Sequence, residues 1–144
     1  MDVLTAMQIS GSALKAERTR LNITAMNLAN ANTTRTIEGG PYRAKSVIFA
    51  AKPLSGSFRD AMEASNNRLR QVEVARVVED QTPFREVYDP SHPDADANGV
   101  VRLPNVNVVE QTVDMMNARR AYEANVTALD AAKSMALKAL DISR

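Results

Sequence analysis

The chain has no cysteine and no tryptophan, one histidine, and only three phenylalanines and three tyrosines in 144 residues. The missing thiols exclude disulfide bracing and thiolate metal ligation. Aromatic side chains supply much of the buried area of a compact globule, and at 4% of the composition they are scarce here. Charge of one sign is missing too. Lys and Arg total 18 against 17 Asp and Glu, a formal net charge of +1. No like-charged run marks a surface for nucleic acid or for an anionic membrane. No apolar run approaches the roughly 20 residues of a membrane span. Met1 to Ser12 lacks a basic cluster ahead of an apolar core, so a Sec signal peptide is not expected there.

No proline precedes Pro41, and the stretch before it is helical in pattern. Met7, Leu14, Leu21 and Leu28 recur every seven residues and so stack along one side of a helix over about Val3 to Ala29. Leu4, Ala13 and Ala25 widen that stripe, and Lys15, Arg18, Thr19, Arg20 and Asn22 fall opposite. Gly11 weakens the helix by about 1 kcal/mol relative to Ala, which suggests close approach of another backbone at that point. The helix is expected to stop near Asn30, where Asn32, Thr33, Thr34, Gly39, Gly40 and Pro41 make a loop.

The middle of the chain reads as short extended pieces. Tyr42 to Ala50 is β-prone, Lys52 to Asn67 is mixed, and Gln71 to Glu79 alternates with Val72, Val74 and Val78 on one face. Phe84 to Tyr88 is expected to pair with that strand. Asp89 to Gly99 is dense in turn formers, and Val100 to Leu103 makes a last strand. Asn107 then offers an N-cap with Glu110 three residues on. From there a second helix runs to about Ile142 without Pro or Gly. Met115, Tyr122, Leu129 and Ala136 form one column, and Ala118, Asn125, Ala132 and Ala139 a second, three residues behind. Together they make an a/d seam. Val109, Val113, Met116, Val126, Leu137 and Leu140 add apolar surface beyond it, too wide for one partner helix.

The expected fold is therefore mainly α: paired N- and C-terminal heptad helices, coiled-coil-like, around a small, partly β middle segment. The segments are 1–30, 31–104 and 105–144. The first and last together would form one coiled-coil domain.

Catalytic signals are weak. His92 stands alone between Ser91 and Pro93 and reads as a turn residue. Asp94, Asp96, Asn98 and Gly99 match the start of an EF-hand loop, but Asn105 stands where the bidentate acid belongs and prolines precede it. The sequons at Asn22, Asn32 and Asn125 are read as chance, and Gly39-Gly40 is too short to cradle phosphate. Arg119-Arg120 fits a solvated face and an inter-subunit face equally well. No catalytic residue, cofactor or metal site is expected.

Two motifs carry more information. Asn27-Leu28-Ala29-Asn30 with Thr33 closes the first helix. Asn107-Val108-Val109-Glu110, Met115-Met116 and Arg120-Ala121-Tyr122-Glu123-Ala124-Asn125 open the second. This pair of terminal signatures resembles that of the flagellar rod and hook proteins. Pro41-Tyr42-Arg43-Ala44-Lys45, Tyr88-Asp89-Pro90 and Pro104-Asn105-Val106, with the short length, resemble the proximal-rod branch more narrowly. The resemblance implies a non-enzymatic structural subunit of the basal-body rod in the cell envelope. It implies passage through the flagellar type III export apparatus and helical assembly with its own copies and other rod proteins. Further implied partners are the MS-ring and that export apparatus, with neither nucleic acid nor a membrane span. The residues it points to for helix pairing and assembly are Met7, Leu14, Leu21, Asn27, Leu28 and Asn30, and Met115, Tyr122, Asn125, Leu129 and Ala136. The alternative is a soluble coiled-coil adaptor or export chaperone whose helices pair within a small dimer.

Overall fold

The computed structural model describes residues 3–54 and 69–142. The chain is mainly helical with short strands. In order come helix α1 (Val3–Ala29), strands β1 (Lys45–Pro53), β2 (Arg70–Glu79), β3 (Arg85–Tyr88) and β4 (Val100–Leu103), and helix α2 (Val108–Ile142). No described helix is long and apolar enough to cross a membrane.

Both helices stand where the sequence pattern put them. α1 ends where Asn30, Thr33 and Gly39 take over the backbone hydrogen bonds in tight turns. α2 starts under its cap, with the Asn107 Oδ1 accepting from the amides of Val109 at 3.1 Å and Glu110 at 3.4 Å. That satisfies two of the amide donors a helix start leaves unpaired.

The strands differ from expectation in two respects. β1 begins at Lys45 rather than Tyr42 and runs on through Pro53, so Lys52 and Pro53 are strand, not part of a mixed stretch. The remainder of that stretch, from residue 55, lies outside the described residues. The partner of β3 is β4 and not β2. Arg85 faces Leu103 and Tyr88 faces Val100 in an antiparallel ladder, while β2 pairs with β1. A turn-rich link brings two adjacent strands together at less entropic cost than a distant pairing would, and Asp89–Gly99 is that link.

The chain divides into two compact units. One comprises the described parts of Met1–Thr19, Ile48–Arg76 and Ala118–Arg144. Here Ser12 ties helix to strand: its Oγ donates to the Ile9 carbonyl at 2.7 Å and accepts from the Val72 amide at 3.1 Å. On β2, Val72 and Val74 are half-buried while Glu73 and Ala75 face water, as the alternation requires. Lys52 and Glu73 pair across the strands at 3.2 Å. The fully covered positions of this unit are small: Ala16, Ala118 and Ala132. A Cβ at Gly11 would meet nothing within 4 Å, so among the described residues no other backbone crowds that position.

The other unit comprises Arg20–Val47 and Val77–Asn117. Its core is Ala31, Tyr42, Ala44 and Val106. The β3–β4 loop is organised by carboxylates. Asp96 Oδ1 accepts from the amides of Asn98 at 2.8 Å and Val100 at 3.0 Å. Asp89 Oδ1 accepts from Ser91 Oγ at 2.6 Å and from the Ser91 amide at 3.1 Å. The Val100 and Asn98 amides hold the Asp96 carboxyl below its usual range, and the Ser91 hydroxyl and amide do the same for Asp89. Asp96 is thus engaged with backbone donors, as a turn residue is. His92 Nδ1 accepts from the Asp94 amide at 3.1 Å and is part of the same turn.

Gly99 closes this loop with φ at 76°. A Cβ there would lie 3.0 Å from Tyr88 Cε2 and 3.1 Å from Pro90 Cγ. Gly39 also has positive φ, at 89°, but open space around it. Gly99→Ala should therefore destabilise the β3–β4 unit by about 2–3 kcal/mol, and Gly39→Ala by only about 1 kcal/mol. Urea unfolding followed by tyrosine fluorescence checks the difference; equal effects would show that the contact with Tyr88 and Pro90 carries no weight.

Candidate functional site

Among the described residues, the largest side chain that is fully buried is polar: Asn27, 1% exposed, near the end of α1. An amide has two donors and two acceptor sites, and all four are used. Nδ2 donates to the Lys45 carbonyl at 2.7 Å and to Gln111 Oε1 at 2.8 Å. Oδ1 accepts from the Lys45 amide and from Tyr42 Oη, both at 2.9 Å. One side chain thereby fixes the end of α1 against the start of β1 and the first turns of α2. Removal of both donors and acceptors from water is tolerated only because each finds a partner.

A second carboxamide supports the first. Asn105, just before α2, accepts from the Ala44 amide at 2.8 Å. Its Nδ2 donates to the Asp80 carbonyl at 3.1 Å and to Thr82 Oγ1 at 2.9 Å. Arg43 Nη1 donates to the Asp80 carbonyl at 3.0 Å, and its guanidinium lies 4.3 Å from the Phe84 ring centre. Burial, and the Glu79 charge after it, push the Tyr42 phenol above its usual range, so the hydroxyl stays a donor to Asn27. A looser ion pair, Arg20 Nη2 to Asp114 Oδ1 at 3.5 Å, joins the same two helices with both groups partly in water. Its contribution is small.

The other expected assembly residues behave differently. Asn30 Nδ2 bonds its own helix at the Met26 carbonyl, and its Oδ1 accepts from Thr33 Oγ1 at 3.1 Å, shaping the turn. Asn125 Nδ2 likewise bonds back to the Ala121 carbonyl at 2.8 Å. Met7, Leu14, Leu21 and Leu28 are half-buried. The covered stripe of α1 is instead Ala16, Thr24 and Asn27, continued by Ala31 in the turn, about a quarter-turn round the helix from the leucines. On α2, Met115, Tyr122, Asn125, Leu129 and Ala136 are half-buried along one side, with Ala118 and Ala132 fully covered between them. Roughly opposite, Val109, Val113, Met116 and Met135 stand 73%, 50%, 52% and 57% exposed.

Sequence reasoning missed Gln111, Tyr42, Lys45 and Asn105 as partners in this node. Tyr42, Lys45 and Asn105 did stand inside the short motifs that carried the family resemblance. Gln111 follows the Asn107 cap by one turn, its amide donating to the Asn107 carbonyl at 2.9 Å, and nothing local marks its side chain as a cross-link.

Comparison with known proteins places both helices in flagellar families. Residues 7–35 match the family described as "Flagella basal body rod protein". Residues 97–142 match the one described as "Flagellar basal body rod FlgEFG protein C-terminal". The two matched stretches hold Asn27 and Gln111, the two ends of the side-chain bridge. The chain is 44% identical over 144 residues to the flagellar basal-body rod protein FlgC of Salmonella typhimurium, covering 100% of both chains. It is 41% identical over 150 residues to that of Bacillus subtilis, again covering 100% of both. To that of Borreliella burgdorferi it is 40% identical over 149 residues, 99% of this chain and 98% of the relative.

Truncating Asn27 would leave the Lys45 amide and carbonyl, Tyr42 Oη and Gln111 Oε1 without their partner. Asn27→Ala should lower stability by about 2–4 kcal/mol in urea unfolding, while Asn22→Ala, on the exposed side of the same helix, should change it by less than about 0.5 kcal/mol. An Asn27→Ala chain as stable as the parent would show that the node is incidental.

Proposed function

The chain belongs to the FlgC family of flagellar basal-body rod proteins, and on that premise we propose that it is a structural subunit of the rod whose terminal helices are completed by neighbouring subunits. The observation that supports this most is a property of the covered residues. Among those described, no Leu, Ile, Met or Phe is buried. The buried apolar set is five alanines, two valines, one tyrosine and Pro104. Burial of a large aliphatic side chain contributes roughly 1.5–3 kcal/mol, so a chain that leaves all of them in contact with water holds most of that driving force in reserve for association.

α2 makes the same point within one element. One side carries the half-buried column of Met115, Tyr122, Leu129 and Ala136 with Asn125. The other side sets Val109, Val113, Met116 and Met135, all uncovered, among exposed polar residues. A helix with apolar residues on both sides needs neighbours on both. In the rod, segments 1–30 and 105–144 would act together as a coiled-coil layer, and 31–104 would lie outside it. Met7, Leu14, Leu21 and Leu28 would pair there with the α2 column, and Asn27 and Asn30 would hold the helix end in register. The neighbours are further copies of this chain and other rod proteins, with the MS-ring at the base. The subunit reaches this place in the cell envelope through the flagellar type III export apparatus. The role is structural and not enzymatic; torque is transmitted through packed helices.

Met116→Asp tests this reading on the uncovered side. The monomer should change in stability by less than about 0.5 kcal/mol, since Met116 is largely in water. Incorporation into purified basal bodies, and swarming, should be lost. Normal swarming with the variant present at parental levels in basal bodies would contradict the role given to that face.

A further inference from the structure

Glu17 lies on α1 beside a small cavity of about 260 Å³ lined by Ala13, Ala16, Phe49, Ala51 and Val72. Glu17 is half-buried; its Oε2 is shielded from water and, among the described residues, has no hydrogen-bond partner. A carboxylate oxygen removed from water and left unpaired is unfavourable unless a cation or donor arrives from elsewhere. The complementary feature is on α2. Arg120 is exposed, and among the described residues no hydrogen bond or ion pair engages its side chain, whereas the adjacent Arg119 is paired with Glu123 at 2.8 Å. One turn to either side of Arg120 on its helix face are Met116 and Ala124, both exposed. Asn117 and Glu123 share that face; a cation beside the exposed Met116 thus matches an unpaired carboxylate oxygen at an apolar cavity. Guanidinium suits the task because it is weakly hydrated and binds carboxylate through two donors.

We propose that Arg120 of one copy of this chain enters the Glu17 cavity of a second copy, and that this ion pair fixes the contact between neighbouring copies. The inference rests on the rod reading, to which it adds a specific contact.

The chain has no native cysteine, so paired cysteines can be read without background. Glu17→Cys with Arg120→Cys, treated with a short bismaleimide in isolated basal bodies, should give covalent dimers and higher multimers of this chain, absent from either single variant. Charge reversal gives an independent reading. Glu17→Arg and Arg120→Glu should each reduce rod incorporation about tenfold or more, and the double reversal should restore most of it. Basal bodies that contain the double-cysteine chain but yield no such multimers would overturn the pairing and leave the rod reading intact. Cross-linking of Glu17→Cys to Lys138→Cys and not to Arg120→Cys, or to a different polypeptide, would overturn it as well. Absence of the wild-type chain from basal bodies would remove the rod reading and this contact with it.

Discussion

The end of α1 is held by one buried carboxamide, and the rest of its unit is arranged around that bond set. Asn27 reaches two other elements and the loop before β1 at once, through Lys45, Gln111 and Tyr42. A hydrophobic contact at the same place would tolerate sliding of one helix along the other. Four directional bonds from a single amide do not. A buried polar group that fixes register is the use best attested for such residues in helix pairs. Asn105 repeats the device one layer away, anchoring the approach to α2 on Ala44, Asp80 and Thr82. Specificity at this junction therefore comes from polar geometry, and the apolar core beside it, of two alanines, a tyrosine and a valine, is small.

That small core explains the distribution of the large apolar residues. Among the described residues, alanine is the commonest at the positions covered within the chain, where the backbone of a neighbour can come close. Leu14, Leu21, Leu28, Met115 and Leu129 stay half in water, and Val109, Met116 and Met135 more than half. A protein selected to be stable alone would be expected to bury such side chains. A family member that works inside an assembly has reason to keep them available. The same economy fits the absence of disulfides and the shortness of the strands, none longer than ten residues among those described.

Much of this was legible in the sequence. Both helices could be bounded within a residue or two, because a seven-residue period, a proline-free run and flanking Asn, Gly and Pro all gave one answer. The β2 alternation was readable from its valines. The pairing of β3 was not, since a strand's pattern specifies its faces and leaves its partner open; the link at Asp89–Gly99 was the better guide. The seven-spaced leucines of α1 were read as its helix-pairing stripe; within the chain they are half-buried, and the covered positions are Ala16, Thr24 and Asn27. Polar and small residues carry little weight in a hydrophobic pattern, so a stripe built from them is invisible to periodicity. Asn27 itself was singled out through its motif. Its four partners, spread over residues 42 to 111, depend on tertiary contacts that no local pattern encodes. Glu17 and Ser12 gave no signal at all.

The central claim is that the helices are only partly completed by their own chain and are finished by neighbours. Amide hydrogen exchange on the dilute chain and on isolated basal bodies tests it most directly. In the dilute chain, protection should be greatest around the node, at Thr24–Ala31 and the first turns of α2, and should fall away toward Val3 and Ile142. In the basal body both helices should be protected along their whole length. Full protection of both helices in the dilute chain, unchanged on assembly, would contradict the account and describe a self-contained bundle.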